Sequence, residues 1–218
     1  MQGYTPYQQE LLKLAEQLMH SEMANNDPSH DVFHVLRVRK TAIRLADSLA
    51  HSTALNIWMV DMAALLHDIN DHKYATSTSG TVGLKEIYER MSRDDAAQLE
   101  WILERVSWSK EKRRREEGTW GELEEACVEL HCVQDADRLD AIGAFGIMRC
   151  AAFSAVTKRP LYAEGRNDTA IAHFHEKLLN IAGSLKTELG TQLGIRRHQV
   201  MLDFLASVDD EVKDINLS

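Results

Sequence analysis

The stretch Met62-Ala63-Ala64-Leu65-Leu66-His67-Asp68 (residues 62–68) runs an apolar segment straight into a histidine–aspartate pair. Ile57, Trp58 and Val60 extend the run upstream, and the spacing predicts a helix from a cap at Ser52 or Thr53 to about Ile69. A segment this apolar ends in a core, so the pair that follows it points into an interior cleft. A buried carboxylate without a partner costs several kcal/mol. A divalent cation beside it would remove that cost.

Apolar residues recur at helical spacing almost everywhere else. Leu11, Leu12, Leu14, Ala15, Leu18 and Met19 predict a first helix ending near residues 20–22. Val35, Val38, Ala42, Leu45, Ala46 and Leu49 predict a second, with Ser29 as N-cap and Asp31 in the first turn. Further helices are expected over 84–91, 94–106, 123–133 and 139–156, then from a cap at Asp168 or Thr169 to Leu185, and around 200–208. No period-two run of useful length and no fixed repeat is present. The fold class is all-α, and no composition shift marks a domain boundary. Residues 1–218 are expected to form a single-domain helical bundle, with the motif-bearing core over about 25–210.

Composition narrows the function classes. Apolar residues make up 44% and charged residues 27% of 218, a balance that excludes a disordered chain. The net charge of −9 argues against a nucleic-acid polymer as partner, because backbone binding needs a basic face. It leaves room for one small anion in a locally basic pocket. Cys127, Cys132 and Cys150 are odd in number and lack paired spacing, which suits thiols in a reducing compartment. No stretch reaches about 18 apolar residues, and residues 1–20 lack a signal pattern. The expectation is a cytoplasmic protein without a membrane partner, a nuclear location being compatible with the same signals. The run Lys110 to Glu117 reads as a solvated loop or helix end, or as a flap whose cations approach an anionic ligand.

Four places concentrate metal-binding and acid–base residue types: Ser29-His30-Asp31-Val32-Phe33-His34-Val35-Leu36-Arg37, Leu65-Leu66-His67-Asp68-Ile69-Asn70-Asp71-His72-Lys73, Asp135-Ala136-Asp137-Arg138-Leu139-Asp140 and His173-Phe174-His175-Glu176-Lys177. His34 lies on one expected helix, His67-Asp68 end the next, and Asp137 precedes another. Two imidazoles and two carboxylates suit Mn²⁺, Fe²⁺, Ni²⁺, Co²⁺ or Mg²⁺. No thiolate lies in these motifs, which disfavours a structural zinc.

In this order the motifs resemble those of the HD-domain phosphohydrolases, His … His-Asp … Asp on a helical bundle. The resemblance spans about residues 25 to 210 and is nearest to the compact single-domain branch, which includes nucleoside triphosphate pyrophosphohydrolases. It implies one divalent metal ion, with manganese the leading choice, held by His34, His67, Asp68 and Asp137. Asp135 and Asp140 are alternatives within the third motif. Trp108 stands where relatives are expected to carry Phe, and the segment 110–118 is unusually charged.

Two carboxylates cancel the metal's charge, so other cations must neutralise phosphate. Arg37, Lys73, Arg138 and Lys177 are the candidates. Asp71 is the candidate for taking a proton from the attacking water, and His30 for protonating a leaving oxygen or organising the site. The activity implied is hydrolysis of a (deoxy)nucleoside triphosphate to monophosphate and pyrophosphate. A 5′-nucleotidase and a catalytically silent nucleotide-binding regulatory module are the alternatives. The paired element of alarmone hydrolases, His-Asp-x-x-Glu-Asp, is not reproduced at 67–72. The amphipathic C-terminal helix offers a face for a homodimer.

Overall fold

The computed structural model describes residues 3–69 and 79–216, and every regular element among them is helical. The chain divides into two compact units.

The first unit holds residues up to Asn26 and His30–Asp137. Helix α1 (Pro6–Met23) opens with a capping box: Thr5 accepts from the Gln8 amide, and Gln8 returns a bond to the Thr5 amide. Helix α2 (Val32–Leu49) is capped by Asp31, whose Oδ1 accepts from the His34 amide at 2.8 Å. Ser29 is therefore not the cap expected from sequence; it is buried, and its amide donates to Asp27 Oδ1. Helix α3 (Ile57–Leu66) starts from Asn56, later than the expected Ser52 or Thr53, because the Asn56 carboxamide accepts from the Met59 amide.

Trp58 to Leu66 are all buried. A helix apolar on every side must be surrounded, and α1, α2 and α5 pack against α3. Its one acid, Asp61, is 1% exposed and pairs with Arg39 of α2. Helices α4 (Ser79–Arg90) and α5 (Arg93–Leu103) pack on each other and on the α1–α3 layer.

The charged run forms helix α6 (Trp108–Glu116). It is held by i,i+4 pairs Lys112–Glu116, Arg113–Glu117 and Arg115–Glu111. Glu111 is buried and accepts from Gln134 Nε2 at 2.9 Å, which fixes the helix register against α8. The expected helix over 123–133 is divided into α7 (Glu122–Ala126) and α8 (Val128–Asp140), separated at Cys127 in an extended conformation.

The second unit holds Asp27–Ser29 and Arg138–Ser218. Helix α9 (Gly143–Val156) begins at Gly143, where φ is +75° and a Cβ would lie 2.9 Å from Arg197 Cβ. The backbone turns there, so the third motif closes α8 and stands just before the apolar helix α9, which begins at Gly143 and not at the expected Leu139. Thr169 caps α10 (Ala170–His173), as the sequence offered. A π-helical turn over Phe174–Leu178, α11 (Leu179–Ile181) and a 3₁₀ turn over Ala182–Ser184 follow. The last helix, α12 (Glu188–Asn216), is far longer than the run around 200–208 and packs on α9. Among the described residues no single helix is long and apolar enough to cross a membrane.

Candidate metal centre

Three helical segments of the first unit converge on one point. The Asp31 cap fixes the first turn of α2, and His34 in that turn is fully buried. The C-terminal end of α3 supplies His67, and the turn that follows supplies Asp68. The last turn of α8 supplies Asp137.

The donor atoms face one another. His34 Nε2 lies 3.3 Å from Asp68 Oδ2 and 3.6 Å from Asp137 Oδ1. His67 Nε2 lies 3.5 Å from Asp68 Oδ2 and 3.9 Å from Asp137 Oδ1. The imidazoles meet edge to face, with centroids 5.5 Å apart.

The tautomer of His67 follows from its other nitrogen. Nδ1 is 2.9 Å from the Ala64 carbonyl and can only donate to it, so Nε2 presents a lone pair to the cluster. That Nε2 and Asp68 Oδ2 are buried and carry no hydrogen bond. Two acceptors held 3.5 Å apart without a proton between them are costly unless a cation joins them. His34, His67 and Asp68 could hold a metal ion, and Asp137 brings a second carboxylate to the same place. The nitrogen and oxygen donor set fits a borderline or hard divalent ion.

Electrostatics point the same way. Burial by itself would push the Asp68 carboxyl up. Positive charge outweighs it: the imidazoles of His67 and His34, with His30 behind them, hold the group well below the usual carboxylate range when they are protonated, and a cation among neutral imidazoles would act in the same sense.

The other expected site residues fall in several places. His30 stacks edge-on against His34 at 5.8 Å, and Asn26 Nδ2 holds its carbonyl at 3.1 Å. Arg37 sits half-buried one turn beyond His34. Asp71 and Lys73 lie outside the described residues. Asp135 is wholly buried in α8. In the second unit, Asp140 accepts from Arg149 Nη1 at 3.2 Å, and Arg149 Nε donates to the Ser29 carbonyl. Arg138 is buried there, and its Nη1 donates to the Ser184 carbonyl at 2.8 Å. Lys177 lies half-buried on the π-helical turn. His173 Nδ1 is 3.5 Å from Glu176 Oε2, and burial lowers its pKa more than that carboxylate raises it.

Sequence reasoning missed three supporting elements: Asp31 as the cap, Asn26 as the holder of His30, and the Arg39–Asp61 pair between α2 and α3. Signals existed for two of them. Asp31 stands three residues before His34, the spacing of a cap to the amide it receives. Asp61 is an acid inside an apolar run and requires a partner.

The family model described as HD domain matches residues 32–142, which takes in all four donors. The uncharacterized protein YpgQ of Bacillus subtilis is 31% identical over 213 residues, 94% of this chain and 97% of that protein. The crystal structure of YpgQ in complex with ADP covers 94% of this chain and 96% of its own, with TM-score 0.72 and 25% identity. The crystal structure of an HD-superfamily hydrolase from Bacillus thuringiensis is 28% identical, with TM-score 0.63, and covers 94% and 98% of the two chains.

Proposed function

The chain belongs to the HD-domain family of hydrolases, and from that premise we propose that it is a metal-dependent phosphohydrolase that cleaves a (deoxy)nucleoside triphosphate to monophosphate and pyrophosphate. The observation that carries the reading is the convergence of His34 Nε2, His67 Nε2, Asp68 Oδ2 and Asp137 Oδ1 at 3.3 to 3.9 Å. We take these four as the ligands of one divalent ion, with manganese the leading choice. A small nucleotide as partner is supported by the ADP held by the relative from Bacillus subtilis. The 94% coverage by that relative supports reading residues 1–218 as one functional HD-type domain.

A divalent ion held by this set supplies Lewis-acid activation of water and of the phosphoryl oxygen. The protein's own groups do the rest. The Asp31 cap fixes the backbone that carries His34, and the His67–Ala64 bond fixes the second imidazole, before any ligand arrives, which limits reorganisation at reaction. In the step itself the water oxygen forms a bond to the α-phosphorus, and the bond from that phosphorus to the bridging oxygen breaks. The electron pair leaves on pyrophosphate. Arg37 places its charge beside the phosphoryl oxygens, where negative charge spreads. His30, next to His34, is the group we assign to give a proton to the leaving oxygen. Asp71 is the proposed acceptor of the water's proton, and Lys73 a further phosphate cation. Arg138 and Lys177 belong to the second unit, and no step is assigned to them.

Phosphorus NMR of a nucleotide panel incubated with Mn²⁺-loaded protein tests the reading, with Asp68→Ala alongside. Pyrophosphate and monophosphate signals, absent in the variant, are the expected result. Inorganic phosphate instead would replace the reading with a 5′-nucleotidase. Intact nucleotides that still raise the melting temperature would replace it with a silent binding module.

A further inference from the structure

His30 stands one residue before the cap of α2, at a position the helix itself does not hold. The ladder of α2 begins at the Asp31 carbonyl, which accepts from the Val35 amide. The His30 carbonyl, one residue earlier, draws its donor from outside the helix: Asn26 Nδ2 donates to it at 3.1 Å. Asn26 is in turn anchored to the end of α1. Its backbone amide donates to the Met23 carbonyl at 3.2 Å. Its Nδ2 also lies 3.1 Å from the Met23 sulfur, and Met23 is buried in the core. One carboxamide thus joins a core residue of α1 to the backbone of His30, and both ends of the link belong to the first unit.

The residue types fit these tasks. Asp27 and Asp31 face backbone amides, those of Ser29 and His34, and accept from them. Asn26 faces a carbonyl, which needs a donor that an ionised aspartate lacks. Its neighbour Asn25 is exposed, and its side chain has no partner among the described residues. What Asn26 holds leads directly to the candidate metal centre. The His30 ring meets the His34 ring edge-on, with centroids 5.8 Å apart and planes at 69°. His34 has supports of its own in the α2 ladder and the Asp31 cap. Loosening the backbone of His30 therefore leaves the ligand in place.

We infer that Asn26 is a positioning residue for proton delivery: it fixes the backbone of His30, and with it the place of the imidazole beside His34, while supporting no metal ligand. The inference rests on the proposed function for the role of His30. With the backbone fixed, the ring is left a few staggered rotamers. A proton donor displaced by about 1 Å loses up to about 100-fold in rate, so the carboxamide acts on the chemical step and not on binding.

Proton NMR of the metal-free, full-length protein tests the placement without requiring turnover, by nuclear Overhauser contacts between imidazole ring protons. His30→Ala identifies the His30 signals. Asn26→Leu, close in volume but without a donor, should abolish the His30–His34 contact and keep the His34–His67 contact, whose centroids are 5.5 Å apart. Asn25→Ala should keep both. In hydrolysis of a nucleoside triphosphate by Mn²⁺-loaded protein, Asn26→Leu should lower kcat by about 10- to 100-fold with KM and the Mn²⁺ dissociation constant unchanged. In a His30→Ala background it should lower kcat no further. A His30–His34 contact that survives Asn26→Leu would overturn the inference, as would the same fall in kcat without His30. Loss of both contacts, or weaker Mn²⁺ binding, would mark Asn26 as merely structural and overturn it too. Wild-type protein that leaves triphosphates intact, while Asn26→Leu still loses only the His30 contact, would overturn the proposed activity and leave the placement of His30 by Asn26 standing.

Discussion

Removing either half of the Arg39–Asp61 pair should destabilise the first unit severely, whereas removing both should not. The pair joins α2, which carries His34, to α3, which carries His67. Arg39 Nε lies 2.5 Å from Asp61 Oδ1 and Nη2 lies 3.1 Å from Oδ2, so the contact is bidentate. The side chains are 14% and 2% exposed. Breaking a buried pair costs about 3–5 kcal/mol, because an uncompensated charge stays behind. The partners left behind differ. Asp61→Leu leaves Arg39 with Glu16 still 3.6 Å from Nη1, which puts that variant at the low end, near 3 kcal/mol. Arg39→Met leaves Asp61, among the described residues, with the Tyr4 hydroxyl, whose pKa burial and this same carboxylate already raise, and it should fall near 5 kcal/mol. The double variant exchanges the pair for apolar volume and should lie within about 1.5 kcal/mol of wild type. At about 2–4 °C per kcal/mol for a chain of this size, the singles should melt about 6–20 °C lower. Urea unfolding and thermal melts of the four proteins complete the cycle. Singles within 1 kcal/mol of wild type, or a double no better than Arg39→Met, would refute the reasoning.

The site and the core each carry further expectations. Mn²⁺ at a hundred times its dissociation constant should stabilise the protein by about 2.7 kcal/mol, a rise of about 5–11 °C, and a chelator or Asp68→Ala should abolish the rise in a melting assay. Burial, and then the Asp135 and Glu129 carboxylates, push the Cys132 thiol up from 9.0 to about 12. Its folded pKa exceeds its unfolded one, so its contribution to stability is complete below pH 9 and is lost as pH rises towards 12. Urea unfolding from pH 8 to 11 should therefore decline less steeply in Cys132→Ala than in wild type; parallel declines would count against the shift. In native protein at neutral pH, maleimide should spare Cys132.

The helices that build the centre were legible because burial imposes a period. Val35, Val38, Ala42, Leu45 and Ala46 of α2 all lie in the core, as their spacing requires. His67-Asp68 was legible for a different reason: polar residues at the end of a helix as apolar as α3 arrive in the interior with it. Helix ends were less legible. The sequence offers a break at the polar stretch 134–138, between the helices expected over 123–133 and 139–156, yet that stretch stays helical and completes α8. The break is made by Gly143, whose left-handed backbone and close approach to Arg197 Cβ are properties of packing. It moves the third motif to the end of α8, and with it Asp137 comes within 3.6 Å of His34 Nε2.

The charged segment shows why counting signs along a chain is not enough. Lys110 to Glu117 reads as solvated because it mixes charges of both signs. In three dimensions one of them, Glu111, is 6% exposed and shared by Arg115 from its own helix and Gln134 from α8. Gln134 also donates to the Arg105 carbonyl at 2.7 Å, so one carboxamide ties down both ends of the turn that leads into α6. It stands three residues before Asp137, on nearly the same face of α8. The segment that resembled a loose flap is thus fastened one helical turn from the candidate ligand, by a neutral residue that no charge pattern would single out. Its identity mattered only because a buried acid on another helix needed a donor.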